Sequence, residues 1–355
     1  MKAISSILKL PAVALLLTFM LMAMTACGGN SNAGSESNNT TTSPAATDAA
    51  DQATDEAISV VTSFYPLYFL ASEIGGKHVA AFNLIPAGVE PHDWTPKSRD
   101  ITTASKAQLF LYHGAGLEGW VDGFLSGLDK NSGVITKEMS EGITLIAGSG
   151  EEHAEEEGHD HDHEHEDEAA NHEHEEEGHD HGDMDPHTWV SPKSALKLAE
   201  NVKNSLVEID AANQADYEQN YEQLKQKLET IDQAYTEQLA QVPNKNIVVS
   251  HQAFGYLARD YGLKQVAIMG LSPDAEPRAQ DLLKIAKFVK ENNVKYIFFE
   301  ELVSDQLANT LAGEADVDTM VLNPLEGLTP DQEKAGDTYL TLMERNLQNL
   351  VQALQ

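Results

Sequence analysis

Apolar residues reach this chain in two rhythms. Short β-branched or aromatic runs alternate with longer stretches of helical spacing. Ile58-Ser59-Val60-Val61-Thr62-Ser63 reads as a buried strand. Phe64 to Ala71 turns into a helix that stops at Gly75-Gly76. Val79 to Ile85 is a second strand, followed by the turn-rich Pro86-Ala87-Gly88-Val89-Glu90-Pro91. Thr95-Pro96 has the form of an N-cap and first helical position. Leu109-Phe110-Leu111-Tyr112 is a third strand, and Ile143 to Ile146 is expected to be the fourth.

Beyond Ser191-Pro192, apolar positions at Ala195, Leu198, Ala199, Val202 and Leu206 fit one helix face. Tyr217, Tyr221, Leu224, Leu228, Ile231, Tyr235 and Leu239 extend the same spacing, predicting a helix over about Asn213–Gln241. At 1.5 Å per residue it would span roughly 40 Å, a domain's length. The second half repeats the alternation. Strands are expected at Asn246–Ser250, Gln265–Met269, Tyr296–Phe299 and Asp318–Leu322. Helices are expected through Leu282, Ile285, Phe288 and Val289, and at the C-terminus through Leu340, Met343, Leu347, Leu350 and Val351. Strands alternating with helices predict an α/β fold with parallel sheets covered on both faces. Two lobes follow, residues 57–190 and 242–355, linked by a helical region over 191–241.

Composition changes this picture at the N-terminus and in the middle. Hydrophobic residues make up 41% of the 355, enough for two cores, and the formal net charge is −34. Such a balance disfavours nucleic acid as a partner. Lys2, Lys9 and the apolar run Leu10–Ala26 precede Cys27, the only cysteine. This has the form of a lipoprotein signal over residues 1–27, with a lipid on the Cys27 sulfur, although Met24 stands where Leu is commoner. A plain secretory peptide or a membrane span are the rivals, and the run is short for a span. Residues 28–56, rich in Gly, Ser, Asn, Thr, Ala and Asp, read as a flexible tether.

Residues 151–183 hold nine of the fourteen histidines and seventeen acids, with no Lys or Arg. Nothing there can build a core. His153, His159, His161, His163, His165, His172, His174, His179 and His181 instead offer imidazole nitrogens suited to weak, multiple Zn²⁺ binding. A solvated acidic loop without a role is the plain alternative. Outside that run, His92, His187 and His251 each lie near the end of an expected strand or beside a Pro-bounded turn. Ligands of open α/β sheets bind beyond the carboxyl ends of the strands. Spacing alone does not join these three, and for any single one a structural histidine is the alternative; His78 and His113 are read as structural.

Several motifs, in order, resemble a known family. They are Ser63-Phe64-Tyr65-Pro66, Ile74-Gly75-Gly76, Pro91-His92-Asp93-Trp94-Thr95-Pro96 and Gly114-Ala115-Gly116-Leu117-Glu118. Asp185-Pro186-His187-Thr188-Trp189, Ser250-His251-Gln252-Ala253-Phe254-Gly255-Tyr256-Leu257 and Phe299-Glu300 follow. Over residues 58–355 the chain resembles the zinc- and manganese-binding substrate-binding lipoproteins of bacterial ABC importers. The resemblance implies two α/β lobes joined by a rigid long helix, with one metal in the cleft between them. It places metal ligands at His92, His187 and His251. It implies Glu326 as the fourth, with water as the alternative, because Asn323 is a poor anionic ligand. Glu90, Glu300 and Glu301 are read as structural or partner-facing acids.

Three imidazoles and one carboxylate suit Zn²⁺ better than Mn²⁺, which prefers more oxygen ligands. The expected protein is therefore a non-enzymatic zinc receptor, monomeric, lipid-anchored at the outer face of the cytoplasmic membrane, delivering its ion to a membrane permease. A manganese receptor is one rival, and a surface adhesin or zinc buffer a second. A secreted zinc hydrolase is a third, but no His-Glu-x-x-His helix or Gly-x-Ser-x-Gly elbow supports it.

Overall fold

A computed structural model describes residues 57–148, 184–273 and 277–355. The expectations for Cys27, the tether and the nine histidines of 151–183 lie outside the described residues. No helix among the described residues is long and apolar enough to cross a membrane.

The first half runs β1 (Ile58–Thr62), α1 (Tyr65–Gly75), β2 (Val79–Asn83), α2 (Ser98–Ala104), β3 (Leu109–Tyr112), α3 (Val121–Gly127) and β4 (Ile135–Glu138). Two helices follow, α4 (Pro192–Ile209) and α5 (Gln214–Gln241). The second half runs β5 (Asn246–Val249), α6 (Gly255–Tyr261), β6 (Lys264–Ala267), α7 (Ala279–Glu291), β7 (Tyr296–Phe299), α8 (Gln306–Ala315), β8 (Asp318–Val321), α9 (Pro330–Ala335) and α10 (Tyr339–Ala353). The sheet orders are β2-β1-β3-β4 and β6-β5-β7-β8, parallel throughout. Each half thus uses one plan, with its first strand in the interior and its second at an edge.

The strands form where β-branched and aromatic side chains are buried on both faces. Val60, Val61, Leu109, Phe110, Ile247, Val248 and Ile297 are all at or near zero exposure. α1 stops at Gly76, whose φ of +53° lies in the region that favours glycine.

Two local expectations fail. The fourth strand is Ile135–Glu138, paired with β3 from Leu109↔Ile135 to Tyr112↔Glu138, and not Ile143–Ile146. An edge strand needs a partner on one side only and can stay polar; Lys137 there pairs with Glu208 at 2.7 Å. Ile143–Ile146 joins no ladder: Ile143 packs against the core, and the next residue past the run, Ala147, makes one antiparallel bridge to Met184. The second helix starts at Ser98, not Pro96, because the Asp100 carboxylate accepts the free backbone N–H of Lys97 at 2.7 Å. Trp94 instead packs edge-on against Trp120, with ring centroids 5.1 Å apart.

α5 is the long joining element. Its buried stripe is Tyr217, Leu224, Leu228, Ile231, Tyr235 and Leu239. Near its start, Asn220 Nδ2 donates to the Ile74 carbonyl at the end of α1, at 3.0 Å. Near its end, Tyr235 donates its hydroxyl to the Met343 carbonyl in α10 at 2.7 Å. One apolar cluster continues from Val60 and Leu67 of the first half, through α4 and α5, to Leu322 and Leu350 of the second. Further ties cross nearer the site. Gly88 N donates to Leu328 O at 2.8 Å, Trp189 Nε1 to Pro324 O at 2.8 Å, and the Tyr339 hydroxyl to Trp189 O. A hinge opening would have to break all of these.

Candidate metal centre

Loops leaving the carboxyl ends of both sheets meet at one point. His92 comes from the loop after β2, and His187 from the segment leading into α4. His251 lies two residues past β5, and Glu326 five residues past β8. His187 Nε2 is 3.1 Å from His92 Nε2 and 3.3 Å from His251 Nε2. Glu326 Oε1 is 3.7, 3.5 and 3.7 Å from the Nε2 atoms of His92, His187 and His251. These are the four donors that the sequence reading grouped. They form a cluster of His, Asp and Glu side chains able to hold a metal ion among the described residues.

The local sequence explains the convergence. Glu90 Oε1 accepts the backbone N–H of His92 at 3.0 Å, folding the Pro-bounded loop back on itself. Asp185 Oδ1 accepts the backbone N–H of His187 at 2.9 Å and lies 2.8 Å from its Nδ1. Glu300 Oε1 accepts the backbone N–H of His251 at 3.1 Å, and Oε2 lies 2.7 Å from its Nδ1. Asn323 Oδ1 accepts the Leu325 N–H at 2.7 Å, turning the loop that presents Glu326; Leu325 takes φ +65° in that turn. Asn323 thus shapes the loop from its own amide, which also donates to Glu301 at 2.8 Å.

The electrostatics follow from burial. His187 and His251 are fully enclosed, and Glu326 is 3% exposed. Burial lowers the His187 pKa, with Asp185 opposing. Burial would also lower those of His251 and His92, yet Glu300 raises the first well above its ordinary value and Glu326 raises the second. Burial works against the Glu326 charge, but the contacts with His251 and His92 hold its carboxyl well below the usual carboxylate range. Glu90 is pushed up to about 8 by burial and by the neighbouring Glu326 charge.

With Nδ1 of His187 and of His251 turned to carboxylates, the neutral rings present lone pairs at Nε2. Glu326 Oε1 is buried with no hydrogen-bond partner in the structure. Where those rings are neutral, as metal binding requires, acceptors face acceptors across little more than 3 Å. A bare arrangement of that kind is unfavourable, and a cation at its centre satisfies every atom at once. Tetrahedral Zn²⁺ with bonds of about 2.0–2.1 Å sets its ligand atoms about 3.3 Å apart, close to the 3.1–3.7 Å of the five edges above.

Sequence reasoning missed the places of Glu300 and Asp185. Of the two readings given for Glu300 the structural one holds: it is 2% exposed and sits against a site histidine. His113 and His78 are buried with partners of their own, Pro186 O at 2.9 Å and Asp216 Oδ2 at 2.6 Å.

Comparison with known proteins gives the same direction. The model of a periplasmic zinc-uptake complex component A, ZnuA, matches residues 60–353. The zinc-binding lipoprotein AdcA of Streptococcus pneumoniae is 41% identical over 302 residues, which are 84% of this chain and 56% of AdcA. The chain thus spans little more than half the length of that relative. The high-affinity zinc uptake system protein ZnuA of Bacillus subtilis is 40% identical over 336 residues, 95% of this chain and 94% of that protein. The crystal structure of the Zn(II)-bound ZnuA-like domain of S. pneumoniae AdcA superposes with a TM-score of 0.67 at 38% identity, covering 84% of this chain and 99% of that one. The joining helix and the paired parallel sheets are the architecture shared with that domain. On these matches, the chain belongs to the ZnuA family of periplasmic zinc-uptake components.

Proposed function

We propose that this chain is the extracytoplasmic zinc receptor of an ABC importer. It captures Zn²⁺ with His92, His187, His251 and Glu326 and hands the ion to a membrane permease. The observation that carries this reading is the convergence of four donors on one buried point, five of their six separations being 3.1 to 3.7 Å and all lying within 4.8 Å. Three nitrogens and one carboxylate oxygen suit Zn²⁺, whereas Mn²⁺ favours more oxygen donors. Four protein donors leave no open position for a substrate water, so the ion is cargo rather than a catalyst. The names of the relatives, a zinc-binding lipoprotein and a zinc uptake protein, support the same role.

A lipid on Cys27 would hold the receptor at the outer face of the cytoplasmic membrane, and the nine histidines of residues 151–183 would gather Zn²⁺ by weak, multiple binding. Because the two halves share one core and several hydrogen-bonded ties, loading involves loop shifts and not a wide hinge. The receptor acts as a monomer without nucleic acid. The test is zinc titration against a chromophoric chelator. The parent should hold one tight equivalent, and His92→Ala should lose it. Unchanged affinity in His92→Ala would remove the site and the reading together.

A further inference from the structure

The site is a set of donors held by a second set of groups, and the second set is unequal. Asp185 touches His187 twice, through the ring at 2.8 Å and through the backbone N–H at 2.9 Å. Glu300 accepts the His251 backbone N–H at 3.1 Å and stands 2.7 Å from its Nδ1, a close ionic contact without the alignment of a hydrogen bond. Both acids are nearly or wholly enclosed, at 0% and 2% exposure. The Asp185 backbone is itself fixed: its carbonyl accepts the Tyr256 hydroxyl at 2.6 Å, and its N–H donates to Ile146 O at 2.9 Å. Among the described residues His92 meets a carboxylate only through Nε2, at Glu326. Its ring carries no acid on the far side.

Asp185 depends in turn on a residue that touches none of the donors. Gly255 opens α6, and a Cβ there would stand 2.4 Å from Asp185 Oδ2 and 2.8 Å from Ile146 Cδ1. The Ile146 side-chain tip can swing aside, but Asp185 Oδ2 cannot retreat without moving the acid.

We propose that Asp185 and Glu300 are positioning residues for the metal, each locking one histidine into the tautomer and ring orientation that aims Nε2 at the ion, and that Gly255 is glycine to leave room for Asp185. A carboxylate on Nδ1 accepts that N–H and leaves the lone pair on Nε2. It also denies the ring its flipped orientation, in which Nδ1 would face the ion. His92 lacks this support and relies on its loop alone.

The inference rests on the zinc-receptor reading, and one set of titrations separates the two. Zinc affinity is measured by chelator competition for the parent, Glu300→Ala, Glu300→Gln, Asp185→Ala and Gly255→Ala. The two acid variants are also made in His251→Ala and His187→Ala backgrounds, and Gly255→Ala in the Asp185→Ala background. Failure of the parent to bind zinc would defeat the receptor reading itself. Given binding, Glu300→Ala and Asp185→Ala should weaken zinc by about 10–100-fold, the range for outer ligand partners. Glu300→Gln should recover part of that loss, because its amide oxygen can still accept the Nδ1–H although its NH2 then faces the His251 backbone N–H. Gly255→Ala should match Asp185→Ala and add nothing to it. Glu300→Ala should change affinity little once His251 is gone, since its effect passes through that ring.

Co²⁺ absorption supplies a readout independent of affinity. The tetrahedral d–d bands should persist in Glu300→Gln and shift in Glu300→Ala. The inference is overturned if Glu300→Ala binds zinc as tightly as the parent. It is equally overturned if the loss is the same size with and without His251, because the acid would then act on the fold and not on the ring. If Glu300→Ala does not fold, Glu300→Gln and Gly255→Ala decide. A Gln variant that loses both zinc and the Co²⁺ bands, or a Gly255→Ala protein with parental affinity, contradicts the proposal.

Discussion

Trp189 joins the histidine side of the site to the carboxylate side, and Trp189→Phe measures that joint. The indole is fully buried. It packs edge-on to Phe64 and His113 with centroid separations of 4.7 and 4.9 Å, and lies 5.2 Å from the His187 ring. Its Nε1 donates to the Pro324 carbonyl at 2.8 Å, two residues before Glu326. Phenylalanine keeps a ring but removes this donor. Leaving a buried carbonyl without it costs about 1–3 kcal/mol. The vacated space, roughly 30–40 Å³, adds about 1 kcal/mol at the usual penalty per volume. The expected loss is about 2–4 kcal/mol, a large part of the roughly 5–15 kcal/mol that keeps a domain folded. Urea denaturation with excess chelator reads this loss directly. Repeating it with excess zinc reads the second effect. Because the Glu326 loop is freed as well, the zinc-induced rise in midpoint should be smaller in the variant than in the parent. A chelator-treated variant within about 0.5 kcal/mol of the parent, the range of neutral surface changes, would refute the claim that this hydrogen bond carries the joint.

Other consequences can be checked in the same samples. Tyr235→Phe removes the tie between α5 and α10 and should cost about 1–2 kcal/mol in urea unfolding, with zinc affinity unchanged. His113 is held down to about 3 by burial, so the folded protein refuses a proton that the unfolded chain takes near 6.5. Its contribution to stability is present above 6.5 and declines as pH falls toward 3, by up to about 1.4 kcal/mol per pH unit. A His113→Gln protein should therefore show a correspondingly smaller acid-side slope in unfolding free energy than the parent. His251 and His92 have raised pKa values, so protons compete with zinc there above the ordinary imidazole range. Zinc affinity should begin to fall above pH 6.5 on acidification from pH 8, as followed by chelator competition. Deleting residues 151–183 should remove weak zinc equivalents in equilibrium dialysis while leaving one tight equivalent.

Much of the architecture is legible in the chain because burial leaves a clear record. β1, β3, β5 and β7 are short runs of large apolar residues, and α5 carries an unbroken stripe of seven apolar positions. The failures occur where burial and pairing part company. Ile135–Glu138 is a polar edge strand, and Ile143–Ile146 is apolar without being a strand. The donors are legible only through motif resemblance, since gaps of 95 and 64 residues between the histidines carry no geometry. Glu300 shows why the rest stayed hidden. It reaches His251 because β5 and β7 are neighbours, in register at Val248↔Ile297, and both chains leave the sheet on the same side. That adjacency is a property of the sheet order, which no local pattern encodes. Asp185 was more accessible, standing two residues before His187 across a proline in Asp185-Pro186-His187.

X-ray absorption at the zinc edge, on protein loaded with one equivalent after removal of weakly held metal, tests the account most directly. The expected shell is three nitrogen donors and one oxygen at about 2.0–2.1 Å, with the imidazole scattering lost stepwise in His92→Ala, His187→Ala and His251→Ala. A shell of five or six oxygens, or a parental spectrum that survives those substitutions, would contradict it.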